Sequence, residues 1–346
     1  MAAKRIPAGS LTVLGLMCSL VAAAASPEAA TFVPGSIPRD TGGNGVQAHD
    51  GGLLLEGGKY YWYGTSQKMA PSWLSEGVQL YSSPDLSSWT SHGMILPSSA
   101  VYGIPRPGPI RVERAKILHN HKTGTYVMLF HCNVADFAWP SLGVATASSI
   151  YGPFQFKQCS KPDGRDSYDL TAWQDDNGDG FLVHSVENSF VAVRRLSSDY
   201  TTPGPICARL PGDRGEAPAV FKVGSTYYII TSGMTGWLPN PTRMFKASSM
   251  CGSWVEIRQP AVGDGGQITF NSQPTFVFPY KQPNGAIVPI YMGDRWNYPP
   301  NGGVNTANYV WLPMTPAGNG DWDLTWHAQW RLGDFSRARK ARKALM

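Results

Sequence analysis

Residues 216–233, EAPAVFKVGSTYYIITSG, contain the pattern that decides the fold of this chain. An acidic residue precedes a short apolar run, a Gly-Ser turn follows, and the next run is rich in aromatic and β-branched residues. Two such runs separated by a short turn are typical of a β-hairpin. The same form occurs five times, and we call the first residue of each segment its head residue. The head residues are Asp50, Glu113, Asp169, Glu216 and Gln273.

A second marker keeps its distance from the first four head residues. A Ser-Ser pair follows each of them after 28 to 35 residues, beginning at positions 82, 148, 197 and 248. Repeated units of about 50 residues with room for four short strands predict an all-β fold, a five-bladed β-propeller over residues 26–335. The alternative, a pair of β-sandwich domains, does not explain why every unit opens with an ionisable or amide residue.

The head residues predict a catalytic or metal-binding site. The inner strands of a propeller converge on its axis, so residues at their starts are expected to meet at one end of that axis. Four carboxyl groups in one funnel repel one another, and partial burial raises the pKa of at least one of them. Metal binding and carboxylate acid–base catalysis need such a cluster. Glycosidic hydrolysis in particular needs one protonated carboxyl and a partner that activates water or attacks from the opposite face.

Composition and charge restrict the class of protein. The chain has 346 residues, of which 42% are apolar and 15% charged, with 38 Gly and 28 Pro, as expected for short strands joined by turns. Lys4 and Arg5 contribute two positive charges and the five basic residues between positions 337 and 343 contribute five, so the rest of this +5 chain has a net charge of −2. A nearly neutral body argues against nucleic-acid binding, and residues 336–346 are interpreted as a solvated basic tail.

Residues 1–25 have the form of a secretory signal peptide, with two basic residues followed by LTVLGLMCSLVAAAA. The apolar run is short for a membrane anchor, so we expect cleavage, secretion and no later membrane contact. Cys132, Cys159, Cys207 and Cys251 then remain in an oxidising compartment, and one or two disulfides are expected in any of three pairings. We expect a monomer with no cofactor and no bound metal.

The order and spacing of several short runs resemble glycoside hydrolase family 43, and within it the exo-β-1,3-galactanase branch. The runs are VQAHDGGLL at 46–54, ERAKILHN at 113–120, DLTAWQDDNG at 169–178, GEAPAVFK at 215–222, TSGMTGW at 231–237, SQPTFV at 272–277 and MGDRWN at 292–297. The resemblance implies an inverting enzyme that releases galactose from the non-reducing end of β-1,3-galactan, the backbone of arabinogalactan. An arabinofuranosidase or xylosidase of the same family, or a non-catalytic sugar-binding propeller, remains the alternative.

The resemblance also implies roles for the head residues. Glu216 is expected to be the general acid, Asp169 to tune its pKa and hold the sugar, and Glu113 to bind substrate hydroxyls. Gln273 matches a glutamine that assists the attacking water in the galactanase branch, whereas the wider family uses an aspartate at the first head. This chain has Asp50 where the branch has glycine. Either residue is a candidate for activating the water, or Asp50 only caps a turn beside the following Gly pair.

Other candidate ligands surround the head residues. Trp237 offers an aromatic face on which a sugar ring can rest, and Phe137 stands where the branch tends to have a pocket tyrosine. Two local alternatives stay open: Arg114 either binds substrate or neutralises Glu113, and Gln273 either joins the site or satisfies backbone groups at a sheet edge. The remaining candidates are Arg295, Asn188, Thr235 and, as a further aromatic face, Trp296.

Two other motifs are interpreted as structural. Residues 175–180, DDNGDG, resemble the start of a calcium loop, but Val186 at the twelfth position offers no side-chain oxygen, so a hairpin turn is predicted. His49 is predicted to be a buried, hydrogen-bonded histidine rather than an ion ligand.

Overall fold

The computed structural model describes residues 26–67, 74–296, 304–318 and 320–335. The predicted signal peptide, 1–25, and the basic tail, 336–346, lie outside the described residues. Within the described residues, no helix has the length and apolar character that crossing a membrane requires. This part of the chain contains one α-helical turn, over residues 332–335. Its 3-10 helices are single turns at Pro27–Ala29, Ser98–Ala100, Pro162–Gly164, Gly266–Ile268 and Val304–Thr306.

Strand β1 (Thr31–Phe32) is followed by five sheets, which we call blades 1 to 5. Blade 1 contains β2 (His49–Glu56), β3 (Lys59–Ser66), β4 (Gly77–Ser83) and β5 (Thr90–Pro97). Blade 2 contains β6 (Ile110–Asn120), β7 (Thr125–Val134), β8 (Ser141–Ala147) and β9 (Gln155–Ser160). Blade 3 contains β10 (Ser167–Gln174), β11 (Gly180–Val186), β12 (Phe190–Leu196) and β13 (Pro203–Arg209). Blade 4 contains β14 (Glu216–Val223), β15 (Thr226–Ser232), β16 (Thr242–Ala247) and β17 (Val255–Ile257).

Blade 5 differs from the others by one added strand. The short strand β18 (Ala261–Val262) pairs in parallel with the outermost strand of this blade. Its other strands are β19 (Gln273–Lys281), β20 (Ile287–Arg295), β21 (Asn308–Pro316) and β22 (Trp322–Thr325), and β23 (Trp330–Arg331) follows.

The inner strands of the five blades form a closed ring. They contact one another in the order β2, β6, β10, β14, β19 and back to β2. The five-bladed propeller is therefore confirmed, and the pair of β-sandwich domains is excluded. Near the two ends of the described chain, β1 pairs with β23, and Phe32 stacks on Trp330 with ring centroids 4.2 Å apart. This pairing joins the segment before blade 1 to the segment after blade 5.

Both repeating markers correspond to fixed places in a blade. The quoted stretch at 216–233 forms the β14–β15 hairpin, in which Val223 pairs with Thr226 across the turn. The Ser-Ser pair at 82 ends β4, and the pairs at 148, 197 and 248 directly follow β8, β12 and β16. Each pair therefore marks the end of the third strand, which is why it keeps its distance from the head residue.

The apolar core is divided into clusters that lie between neighbouring blades. Leu80 of blade 1 and Phe130 of blade 2 are fully buried in one cluster. At the junction of blades 5 and 1, the ring of Trp62 packs on Trp311 with centroids 4.6 Å apart. Because each cluster takes side chains from two blades, the loss of one blade would expose the apolar faces of both its neighbours. The ring is therefore stabilised as a whole.

Two disulfide bonds select one of the three pairings that the sequence leaves open. Cys132 and Cys159 join β7 to β9 within blade 2. Cys207 and Cys251 join β13 of blade 3 to the turn after β16 of blade 4. The second bond therefore crosses the junction between two blades.

We expect the double substitution Cys207→Ser, Cys251→Ser to lower the free energy of unfolding by about 4 kcal/mol. The bond closes a sequence separation of 44 residues, and its removal increases the conformational entropy of the unfolded chain. Denaturant unfolding followed by tryptophan fluorescence measures the change. The equivalent double variant of Cys132 and Cys159 is the matched comparison within one blade. An unfolding midpoint equal to that of the wild type would show that the cross-blade bond adds no stability.

Candidate active site

One extra residue interrupts every inner strand close to its head residue. In β6, Glu113 pairs with His131 of β7 and Lys116 pairs with Leu129. An advance of three residues along β6 therefore matches an advance of only two residues along β7. Equivalent register shifts occur in β2, β10, β14 and β19. A β-bulge of this kind bends the strand and redirects the side chains beside it. The bulges therefore determine which side chains at the strand starts face the common axis.

The backbone at three of these bulges has a positive φ angle. Asp50, Arg114 and Ala217 have φ angles of 48°, 56° and 51°, in the left-handed region that aspartate tolerates better than most residues. Gly51 has no space for a side chain, because a Cβ atom would lie 1.7 Å from the carbonyl oxygen of Tyr63. Glycine after Asp50 is therefore required by the close approach of the neighbouring strand.

Glu216 lies at the start of β14 beside two other head residues. Gln273 Nε2 donates a hydrogen bond to Glu216 Oε1 over 2.9 Å. Burial and the neighbouring charge of Asp169 raise the pKa of Glu216 to about 8, although Arg114 and the Gln273 hydrogen bond act in the opposite direction. A carboxyl group with this pKa retains its proton at neutral pH, which is the state that a general acid needs.

Arg114 supplies a positive charge at the centre of the carboxyl cluster. Its Nη2 lies 2.9 Å from Asp169 Oδ2 and donates to Gln273 Oε1 at 2.5 Å. Its Nη1 donates to the carbonyl oxygen of Pro274 at 3.0 Å. A residue of blade 2 thus connects the head residues of blades 3 and 5. The alternative in which Arg114 only neutralises Glu113 is wrong, because its guanidinium forms its ion pair with Asp169.

Glu113 has separate partners. Its Oε1 lies 3.3 Å from Arg111 Nη1, and its Oε2 lies 3.3 Å from His131 Nδ1. Burial would raise the pKa of Glu113, but these two basic side chains outweigh it, and the pKa is lowered. Glu113 is therefore ionised at neutral pH and presents a hydrogen-bond acceptor, not a proton donor.

Asp50 is buried at the start of β2. Its Oδ1 accepts a hydrogen bond from Thr65 Oγ1 at 2.9 Å. Its backbone N–H donates to Asp294 Oδ2, and its carbonyl oxygen accepts from Lys116 Nζ, both at 2.8 Å. Burial raises the pKa of Asp50 to about 8, with the charge of Arg114 opposing it. Its carboxyl thus accepts a hydrogen bond from a side chain of the neighbouring strand β3.

Two motifs that the sequence places outside the chemistry have structural roles. His49 is fully buried, with Nδ1 2.9 Å from Asp294 Oδ1 and its ring stacked on Tyr309 at 4.7 Å. Residues 175–179 form the turn between β10 and β11, and Gly180 begins β11. Lys222 Nζ contacts two carboxylates of this turn at 2.8 Å each. The predictions of a buried histidine and of a hairpin turn are both confirmed.

The head residues line one cavity of about 360 Å³, a size within the range of small-ligand sites. The structure places all four catalytic candidates and five of the seven substrate-binding candidates on its wall. These are Asp50, Asp169, Glu216, Gln273, Glu113, Arg114, Phe137, Asn188 and Trp237.

Aromatic rings form part of the cavity wall. Trp237 and Trp296 meet edge to face with centroids 5.2 Å apart, and Trp296 Nε1 donates to Gln273 Oε1 at 2.8 Å. The Gln273 amide therefore binds side chains of the site, and the alternative in which it only satisfies a sheet edge is wrong. Phe137 is 43% exposed and lies 4.1 Å from the Arg111 guanidinium. Aromatic faces beside charged acceptors suit the apolar face and the hydroxyls of a sugar ring.

Two predicted substrate ligands do not reach the cavity, and both expectations are corrected. The Thr235 hydroxyl donates to the carbonyl oxygen of Leu238 within its own loop at 2.6 Å. Arg295 Nη2 donates to the carbonyl oxygen of Phe270 at 2.8 Å. Successive side chains of a strand point to opposite sides. Asp294 points toward the cavity wall, so its neighbour Arg295 points away from it.

Three further residues at the site are not predicted from the sequence. His131 and Tyr168 line the cavity, and Arg111 contacts Glu113. His131 is the cross-strand partner of Glu113, Arg111 precedes Glu113 by two positions, and Tyr168 precedes Asp169 by one. Two signals in the sequence could have identified His131 and Arg111. His131 lies on the strand opposite a head residue, and Arg111 lies two residues from that head residue on its own strand.

A protonated carboxyl beside ionised ones is the combination that cleaves glycosidic bonds, so the fold and the site define a carboxylate-dependent glycosidase built on a propeller. Comparison with protein families agrees with this class. The family described as glycosyl hydrolases family 43 matches residues 46–268. The chain belongs to this family, and the resemblance inferred from its short runs is confirmed.

Several solved structures are similar to this chain. It is 30% identical to a family 43 β-1,3-galactosidase solved with galactodeoxynojirimycin, over 87% of this chain and 100% of that one, with a TM-score of 0.79. It is 31% identical to the Phanerochaete chrysosporium exo-β-1,3-galactanase solved with β-1,3-galactotriose, over 87% and 68% of the two chains, with a TM-score of 0.79. It is 30% identical to the Clostridium thermocellum exo-β-1,3-galactanase, over 86% of this chain and 66% of that one, with a TM-score of 0.80. No curated protein sequence matches the chain.

Proposed function

We propose that this protein is an exo-β-1,3-galactanase that releases galactose from the non-reducing end of β-1,3-galactan with inversion. The Phanerochaete chrysosporium and Clostridium thermocellum relatives bear that activity in their names and are 31% and 30% identical to this chain. The observation that carries the hydrolytic chemistry is the raised pKa of Glu216, about 8, in a cavity with aromatic walls.

Glu216 is the general acid in this proposal. Its carboxyl is protonated at neutral pH and donates the proton to the glycosidic oxygen as the bond from that oxygen to C1 breaks. Burial and, after it, the charge of Asp169 keep the proton on Glu216. Gln273 holds the carboxyl in position through its 2.9 Å hydrogen bond. The shortened galactan leaves as a neutral alcohol because it has received this proton.

Asp50 is the base that activates the water. Gln273 Oε1 already accepts hydrogen bonds from Arg114 and Trp296, which use both of its lone pairs. The amide oxygen therefore has no free lone pair to take a proton from water. The Asp50 carboxyl group lies on the same cavity wall and acts as the base in its deprotonated form, which is populated as the pH approaches its pKa of about 8. The water oxygen bonds to C1 and its proton passes to Asp50. Direct attack without a covalent intermediate inverts the anomeric configuration.

Glu113 and the aromatic wall hold the terminal galactose. The ionised Glu113 accepts hydrogen bonds from sugar hydroxyls, and Trp237 packs against the apolar face of the ring. Phe137 adds packing but no hydroxyl. These contacts orient the anomeric carbon relative to Glu216, which the acid step requires.

We further propose that the protein is secreted and acts as a monomer on polysaccharide, with no nucleic-acid or membrane partner. The two disulfides support secretion, because such bonds persist in oxidising compartments. The net charge of −2 outside the basic ends supports the absence of a nucleic-acid partner.

One observation favours a second candidate substrate. The resemblance places an aspartate base at the first head in the wider family, which includes arabinofuranosidases and xylosidases. Asp50 occupies that position and lines the cavity. A substrate panel therefore has to include arabinan and xylan.

Product analysis tests the proposed function. Incubation with linear β-1,3-galactan, arabinan and xylan is followed by chromatography of the released sugars and NMR of the first anomer formed. We expect galactose from galactan alone, appearing first as the α-anomer because a β-linkage is cleaved with inversion. Glu216→Gln, purified identically, controls for contaminating hydrolases. Arabinose or xylose as the main product would assign the second candidate, and binding of galactan without any release would support a sugar-binding protein.

A further inference from the structure

Three potential metal ligands lie at the opposite ends of the inner strands from the cavity. Glu56 is the last residue of β2, His119 is the last but one of β6, and His121 follows that strand. We call these three residues the histidine cluster. Glu56 is six residues beyond Asp50, which corresponds to about 20 Å along an extended strand. The histidine cluster is therefore separate from the proposed active site.

The side chains of the histidine cluster converge. One ligand atom from each residue lies within 4.8 Å of the other two. Glu56 Oε1 contacts His119 Nδ1, and the two imidazole rings have centroids 4.3 Å apart. His121 lies in the turn after β6, and this ring contact shows that the turn brings its imidazole back beside that of His119. The cluster thus offers two nitrogens and one oxygen to a single point.

Tyr126 of β7 holds two of the three ligands. Its hydroxyl donates to Glu56 Oε2 at 2.6 Å, which leaves Oε1 turned toward the histidines. Its ring stacks on His119 with centroids 4.1 Å apart and planes inclined by 9°. Metal sites commonly orient their ligands through such outer contacts. The carboxylate and one imidazole are therefore held in place before any ion binds.

We propose that the histidine cluster binds a divalent transition-metal ion of the zinc type and that this ion connects blades 1 and 2. Two imidazoles and one carboxylate form a donor set that suits Zn²⁺. In a tetrahedral site with bonds of about 2.0–2.1 Å, the ligand atoms lie about 3.3 Å apart. The three ligand atoms already lie within 4.8 Å of one another, and because His121 is exposed, water supplies the fourth ligand.

The site serves stability rather than catalysis. Glu56 belongs to blade 1 and both histidines belong to blade 2, so a bound ion adds a connection across the blade junction. A ligand that binds the folded chain and not the unfolded one raises the free energy of unfolding. The inference does not depend on the substrate or on the catalytic residues proposed above.

Zinc titration tests the site in chelator-treated, tag-free protein. We expect calorimetry to show saturable binding of one Zn²⁺ per chain, and thermal unfolding to show a higher Tm with Zn²⁺. His121→Ala should weaken binding at least about tenfold and abolish the rise in Tm. His92→Ala is the matched control, because His92 is a partly buried histidine of blade 1 that contacts Ser82. It should bind Zn²⁺ as the wild type does.

Two outcomes would overturn the proposal. One is the absence of saturable zinc binding in the wild type, and the other is equal zinc affinity in the wild type and in His121→Ala. His121 is exposed, so its substitution leaves the fold intact. Glu56→Gln is an independent check that keeps an acceptor for the Tyr126 hydroxyl but removes the charge, and it should also weaken binding. In protein loaded with Co²⁺, visible absorption as intense as that of a tetrahedral complex would identify tetrahedral coordination. This absorption should be lost in His121→Ala.

Discussion

Glu216→Gln is expected to lower kcat on β-1,3-galactan by about 100- to 10,000-fold. Glutamine retains the size of the side chain and an oxygen that can accept the hydrogen bond from Gln273, but it has no acidic proton for the leaving oxygen. On an aryl β-galactoside whose leaving group departs without protonation, the loss should be much smaller. Steady-state kinetics on both substrates measure the difference, which a merely structural role would not produce.

The pH profile gives a second measure of the same residue. Because the pKa of Glu216 is raised to about 8, the proton is present below that pH, and the wild-type kcat/KM should decline as the pH rises through it. Glu216→Gln should lack this declining limb. Glu256→Gln, an exposed glutamate of the same blade that pairs with Arg243, is the matched control and should retain wild-type kinetics. Full activity in Glu216→Gln would remove it from the mechanism.

The second large effect concerns activation of the water. Asp50→Asn is expected to lower kcat by about 100- to 10,000-fold, because asparagine cannot accept the proton. Gln273→Ala removes a neutral hydrogen bond that aligns Glu216, and the expected loss is about tenfold. Comparison of kcat for the two folded variants measures the ranking. A larger loss of kcat in Gln273→Ala than in Asp50→Asn would assign activation of the water to Gln273. Asp50 would then be a structural residue of its bulge.

The rising side of the pH profile tests Asp50 directly. Burial raises its pKa to about 8, and a base must be deprotonated, so wild-type activity should rise with pH toward that value. Together with the decline from Glu216, this gives a narrow optimum near pH 8. Asp50→Asn should lack the rising limb. Thr65→Val removes a hydrogen bond to the carboxylate and should move that limb to higher pH. A wild-type profile without a rising limb would contradict the assignment.

Most of the cavity wall could be predicted because the repeat places equivalent residues at the same point of successive inner strands. Asp169 and Glu216 are 47 residues apart in the chain, yet the charge of Asp169 adds to burial in raising the pKa of Glu216. The repeat period alone predicts that these two residues are close, because closure of the ring brings equivalent positions of successive repeats together. No contact between the two had to be known in advance.

The partners of these residues could not be predicted in the same way. In a regular strand, Glu113 and Arg114 would face opposite sides of the sheet. The bulge and the φ of 56° at Arg114 allow both to line the cavity, where Arg114 reaches Asp169 on the next blade. The position of a bulge depends on how two strands pair, and the alternation within one strand does not contain that information.

The sequence by itself determined the number of blades, the hairpins and the five head residues, because strand alternation, turn residues and the repeat period are local properties of the chain. Tertiary structure alone decided which cysteines pair, and that Arg295 turns away while Trp296 binds Gln273. It also brought Glu56 to the two histidines of the neighbouring blade. These outcomes depend on the order in which the blades close into a ring and on the register of each bulged strand, so they exist only once distant segments are in contact.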